Sequence, residues 1–184
     1  MNITTIEDQL AEVRFRIGRM QARVQAGVAA DVLPRIQRHL DALHQDEASV
    51  RAAASQAPDE VEEKLGRLKS RLDVAEHSLT ADLSDDWATF AAAVEEELRS
   101  WDTYLERLQT GVAANALETR GQAETAIADI RSRRIAVEER LAQACDGAGE
   151  GGQEQRGRIT AARDELAQKA HQLPTKFNDE GAQT

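Results

Sequence analysis

The sequence predicts an all-α fold: an elongated antiparallel helical bundle or coiled coil of three or four long helices, laid out as two tandem helical hairpins. Three observations carry this. Charged residues make up 30% of the 184-residue chain and aromatics 3%, with only three prolines, which is the composition of long helices. Leucine, valine and isoleucine recur at alternating spacings of four and three, the signature of a buried seam along a helix. That regularity also argues against disorder, the competing reading of a polar, charged chain.

The first seam runs Ile6, Leu10, Val13, Ile17, Met20 and Val24, and resumes in shifted phase as Leu33, Ile36, Leu40, Leu43 and Val50, with Glu47 in a seam slot. Thr4 or Thr5 is placed to cap its start. The phase change contains Gly27 and Pro34 and reads as a stutter or kink within one helix of about fifty residues, ~75 Å long at ~1.5 Å per residue. Pro58, followed by Asp59, Glu60, Glu62 and Glu63, starts the next helix, with acids at the positive end of its dipole.

A second seam passes through Val61, Leu65, Leu68, Leu72, Ala75, Leu79 and Leu83, then Trp87, Phe90, Val94, Leu98, Trp101, Leu105, Leu108 and Val112. Ser84-Asp85-Asp86 before Trp87 is an internal helix-start signal, and Gly111, Asn115 and Gly121 mark a weaker break. These signals leave open whether residues 59–145 form one bent helix or two or three pieces. The seam continues through Ala123, Ile127, Ile130, Val137 and Leu141, and stops at CDGAGEGGQE, a glycine-rich loop at 146–153. A last helix carries Ile159, Ala162, Leu166 and Leu173 before Pro174. The tail, 174–184, is expected to fray.

A weak internal repeat fits this layout. RMQARVQAGVAADV resembles ERLQTGVAANALE some 84 to 88 residues later, and EKLGRLKSRLDVAE resembles QRGRITAARDELAQ. The hairpins are therefore placed at about 4–83 and 84–173, within a single bundle over 1–173. Folding back around residues 56–57 would set Arg14, Arg16, Arg19 and Arg23 opposite Glu95, Glu96 and Glu97, and the second turn would set Arg131, Arg133 and Arg134 opposite Asp164 and Glu165. Such pairs choose orientation more than they add stability.

WDTYLERL, RIAVEERLAQ and ITAARDELAQKA, with the tryptophan-marked long helix, turn and shorter helix, resemble the bacterial Ala/Glu-rich coiled-coil hairpin proteins labelled stress-response proteins, and more generally apolipoprotein-like helical repeats. That resemblance implies a stress-associated helical protein and transfers no catalytic residue.

The net charge of −10 is concentrated in residues 58–110, which hold six bases against fourteen acids. An acidic chain lacks the basic footprint of a nucleic-acid binder. Cys145 is the only cysteine, so no intrachain disulfide forms, and a reducing, cytoplasmic location is the default. The N-terminal MNITTIEDQLAEV has neither the basic nor the apolar region of a secretory leader. No Glu-x-x-His motif precedes His39, His44, His77 or His171, and the Asp73/His77 and Asp41/His44 pairs lack a third ligand, so no metal is expected. Cys145 lies at a helix C-terminus, where the dipole disfavours a thiolate, and no nucleotide-binding or nucleophile motif is present. No enzyme, and no cofactor, is expected.

The one unusual stretch is SDDWATFAAAVEEELRSWDTYLERL, residues 84–108, with four of the six aromatics. Trp87 and Trp101, like Phe90 and Tyr104, lie fourteen residues apart on one heptad face. The aromatics read first as core filling. The functional alternative is a docking surface of Asp85, Asp86, Trp87, Phe90, Glu95, Glu96, Glu97, Trp101 and Tyr104, in which acids steer a basic protein partner and aromatics anchor it. The expected function is a coiled-coil scaffold or protein-interaction module, with self-association into a homo-oligomer as one form of it. The alternative is an amphipathic protein coating a lipid or granule surface.

Overall fold

The computed structural model of the chain describes residues 3–27, 32–112, 117–146 and 152–173. It is all-helical there: α1 (Ile3–Gln25), α2 (Leu33–Gln56), a 3₁₀ turn at Pro58–Glu60, α3 (Val61–Asp82), α4 (Trp87–Val112), α5 (Leu117–Asp146) and α6 (Gly152–His171). Most of the loop expected at 146–153 and the tail 174–184 lie outside the described residues. The helices group into two compact units, Met1–Arg107 and Leu108–Thr184, and each is described by itself.

In the first unit the seam of α1 is buried as its spacing predicts: Ile6, Leu10, Val13, Ile17 and Met20 are all 6% exposed or less. They pack with Ile36, Leu40, Leu43 and Val50 of α2 and with Val61, Leu65, Leu68, Leu72 and Leu79 of α3 in one apolar core. The helix count departs from expectation. The helix of about fifty residues is two helices, of 23 and 24 residues, and the described residues form six helices where three or four longer ones were expected. Gly27 explains part of the difference: its φ of +136° lies where only glycine is unstrained. Pro34 sits in the first turn of α2, the position that tolerates its missing N–H. The phase change in the seam is a chain reversal, not a stutter. α1 itself begins at Ile3, ahead of the threonines expected to cap it.

Ordered polar contacts give the helix directions. Asp46 meets Arg71 and Arg35 meets Asp82, so α2 and α3 are antiparallel. Gln9 meets Lys69 while Arg16 meets Asp73 and Glu76, so α1 runs parallel to α3. Arg71 reaches Tyr104 and His77 reaches Ser100, so α4 returns antiparallel to α3. The α3-to-α4 link behaves as its sequence suggests. Ser84 donates to the Thr80 carbonyl, and Asp86 accepts the Thr89 amide at 2.8 Å and caps α4. That bond holds the Asp86 carboxyl below its usual pKa.

The arginine pairing differs from expectation. Arg14 joins Glu47, and Arg16 joins Asp73 and Glu76. Glu95 and Glu96 instead take Arg99 of their own helix. The reason is the extra reversal, which sets α1 beside α2 and α3 rather than opposite the middle of α4. In the second unit α5 and α6 pair through Ala123, Ile127, Ile130, Val137 and Leu141 against Ile159, Ala162, Leu166 and Ala170, all buried. Arg133 meets Glu165 at 3.3 Å, as the folding-back of the second hairpin predicts, whereas Arg134 takes Glu138 of its own helix.

Replacing Gly27 by alanine should lower stability by about 1–3 kcal/mol through backbone strain alone, since a Cβ there would meet nothing within 4 Å. Chemical denaturation of the two proteins checks this, and an unchanged midpoint would remove the strained reversal.

Candidate functional site: a buried arginine cluster and an acidic strip

Four aromatic side chains of α4 start the construction, because their placement decides what the strip can do. Phe90, Trp101 and Tyr104 are 0–1% exposed, and Glu97 beside them is 1% exposed. Trp101 and Tyr104 meet edge to face with centroids 5.8 Å apart, and Trp87 leans on Phe90 at 5.6 Å. Only Trp87 among the four is half-buried rather than buried. Asp85, Asp86, Glu95 and Glu96 are exposed. The accessible part of the expected docking surface is therefore those four acids and part of Trp87. Phe90, Glu97, Trp101 and Tyr104 face inward, as the leucine seam they continue requires.

Further along α4, at the level of Tyr104, the interior of the unit holds a polar cluster. Arg71 of α3 is 2% exposed. It donates to the Tyr104 hydroxyl, holds the Asp46 carboxylate of α2 at 3.2 Å, and lies 4.9 Å from the centre of the Tyr104 ring. One guanidinium thus ties three helices. Burial raises the Tyr104 phenol above its usual range, outweighing the adjacent Arg71, so it stays neutral at pH 7. Burial also raises the Asp46 carboxyl, and Arg71 offsets only part of that. The Trp101 indole N–H and the Arg71 Nε have no hydrogen-bond partner among the described residues. A second buried pair, Arg35 with Asp82 at 2.5 Å, ties the far ends of α2 and α3.

None of Arg71, Asp46, Arg35 and Asp82 stands out in a reading of apolar spacing, yet one signal was available. Aligning EKLGRLKSRLDVAE with QRGRITAARDELAQ puts Arg71 on Arg163, and both are buried, at 2% and 1% exposure. A charged residue repeated within two seams marks a built interaction. The histidines fall elsewhere: His39 is buried in α2, and His77 bonds Ser100 at 3.0 Å. No three His, Cys, Asp or Glu side chains converge as a metal centre among the described residues. Cys145 is exposed near the end of α5. No described helix is long and apolar enough to cross a membrane.

Comparison with protein-family models, curated proteins and solved structures gave no match for this chain.

Two outcomes follow from the burial. Trp101→Ala should cost about 3–5 kcal/mol of stability, since the cavity cannot collapse fully, whereas Trp87→Ala should cost distinctly less; equal losses in urea melts would contradict the difference in burial. Arg71→Met should cost about 1–3 kcal/mol near neutral pH, because it strands the half-buried Asp46 carboxylate. Asp46 has a folded pKa above its unfolded value of about 3.9, so its ionised form opposes folding, and that opposition fades as pH falls through the folded pKa. The deficit of Arg71→Met should therefore shrink as pH falls from neutrality toward the unfolded carboxylate's pKa of about 3.9, and a constant deficit would exclude Asp46 as the stranded group.

Proposed function

We propose that the chain is a non-enzymatic helical scaffold or protein-interaction module, and that the strip of Asp85, Asp86, Glu95 and Glu96 with the accessible part of Trp87 receives a basic protein segment. The observation that carries this is how the unusual side chains are used. Arg71, Asp46 and Tyr104 are used in joining α2, α3 and α4, with Trp101 packed edge to face on Tyr104, so the first unit is held closed and its outward faces are what it offers a partner. Exposed acids along α4, with the half-buried Trp87 following Asp85 and Asp86 at its start, suit a lysine- or arginine-bearing segment, with charge setting the rate of encounter and the ring giving contact area. Arg99 already partners Glu95 and Glu96, so an incoming base competes with it, which favours a transient complex. The stress-associated, cytoplasmic setting suggested by the sequence belongs to the same reading.

Closure also favours this module over a protein that opens onto lipid. Exposing the seam of the first unit would separate Arg71 from Tyr104 and Arg35 from Asp82, leaving charges without partners in an apolar layer. Anionic or zwitterionic vesicles should therefore leave helicity, tryptophan emission and elution position unchanged. Co-flotation with a shifted emission would replace this reading by the surface-coating one. Proteins captured by the tagged chain from its native cell should be lost with Glu95→Gln/Glu96→Gln, and their retention would remove the strip as the docking site.

A further inference from the structure

The outer face of α1 carries a second seam, opposite the buried one. Ala11, Phe15, Gly18 and Ala22 repeat at spacings of four, three and four, and all four are exposed. Phe15, at 67% exposure, is the most exposed large apolar side chain among the described residues. Nothing lies within 4 Å of where a Gly18 Cβ would be, so the helix surface beside the ring is a flat, open socket. The architecture does not require a phenylalanine there. Gly111 follows Gly27 by 84 residues, and the same offset carries the buried Ile6, Leu10, Ile17 and Met20 onto the buried Phe90, Val94, Trp101 and Tyr104. It carries Phe15 onto Arg99, which is exposed and ion-paired to Glu95 and Glu96 on its own helix. Where the second copy of the repeat has a solvated charged face, the first has an apolar one.

The flanking charges say what covers it. Asp8 and Glu12 lie on one edge of this seam in the first half of the helix, and Arg19 and Arg23 lie on the same edge in the second half. All four are exposed, and none has an ion-pair partner among the described residues. Arg14 and Arg16, by contrast, are engaged by α2 and α3.

We infer that this face pairs with the same face of a second copy of the chain, antiparallel, about a two-fold axis. In that register Phe15 of each copy packs against Gly18 of the other and Ala11 against Ala22, as knobs against small-residue sockets. Glu12 then meets Arg19 of the second copy and Asp8 meets Arg23, each pair occurring twice because the contact is isologous. Parallel pairing in register is rejected by the same charges, since it brings Glu7 against Glu12 and Arg14 against Arg19. A contact of two four-turn helices falls at or below about 1,200 Å² of buried surface, the lower bound for stable complexes. The dimer is therefore weak and concentration-dependent. This deepens the interaction-module reading and rests on it only in taking the chain's outward faces as its working surfaces. It uses a different face from the α4 strip.

Sedimentation equilibrium of the full chain, from micromolar to millimolar concentration at about 0.15 M salt, tests it. The expected result is a monomer–dimer equilibrium that Phe15→Glu abolishes. Glu12→Arg alone and Arg19→Glu alone should each weaken it by about tenfold or more, by setting like charges together. The double swap Glu12→Arg/Arg19→Glu should restore it, because each contact joins one of these positions to the other. All these sites are exposed, so melting temperatures should match the parent, which separates lost pairing from lost folding. A monomer at every concentration, a dimer indifferent to Phe15→Glu, or a double swap that fails to recover would each overturn the inference. Mass change with concentration reports this face alone, whereas partner capture lost with Glu95→Gln/Glu96→Gln reports the other, so either can fail without the other.

Discussion

The first unit depends on one buried guanidinium. Moving Arg71 out of water costs several kcal/mol, and the packing around it is tolerable only if hydrogen bonds and an opposite charge meet it in place. Asp46 supplies the charge from α2 and Tyr104 supplies the hydroxyl and the ring from α4. This requirement is sharper than anything the leucines impose. A heptad seam slipped by seven residues sets leucine against leucine again and changes the hydrophobic energy little. The same slip would carry Asp46 or Tyr104 ~10 Å along the axis at ~1.5 Å per residue and leave Arg71 alone in the core. Arg35 with Asp82 repeats the constraint at the other end of α2 and α3. Hydrophobic burial makes the helices associate, and the two polar ties select which of several near-equal alignments they take.

This division explains what was legible in the sequence. Most of the burial in α1, α3 and α4 follows from apolar spacing, because a half-buried helix must place its apolar side chains on one stripe; Val24, Leu83 and Trp87, at helix ends, stay half-buried. Even the slot of Glu47 was correct; the structure satisfies it with Arg14 and Arg51. The reversal between α1 and α2 was misread because spacing reports which face is buried, not which way the chain runs next. A phase shift looks the same whether the helix kinks or turns back. Gly27 was visible, but its positive φ was not.

The candidate site was legible only in part, for a related reason. Trp101 and Tyr104 could be recognised as core or as docking surface with equal chemistry, since both roles suit large amphipathic rings. What decides between them is whether another helix lies over the seam, and that is a property of the tertiary fold. The acids divide by the same test. Glu97 points into the unit, while Glu95 and Glu96, two and one residues earlier, point out. Three adjacent glutamates cannot share one environment on a helix that advances ~100° per residue.

The repeat separates what holds the protein together from what it can recognise. Between α1 and α4 the interior positions correspond across the 84-residue offset, with Ile17 becoming Trp101 and Met20 becoming Tyr104, and both sets stay buried. The larger pair is what gives Arg71 its aromatic partner. Outside, correspondence ends: Phe15 and Gly18 in one copy stand where Arg99 and Asp102 stand in the other. An exterior position is free of packing, so its chemistry is set by what it meets in solution. A phenylalanine left two-thirds exposed loses contact with water only when something covers it. Its cost in the isolated chain is small, and its gain on burial is proportional to the area covered. The two copies therefore keep the same positions buried and differ in the chemistry they present outward.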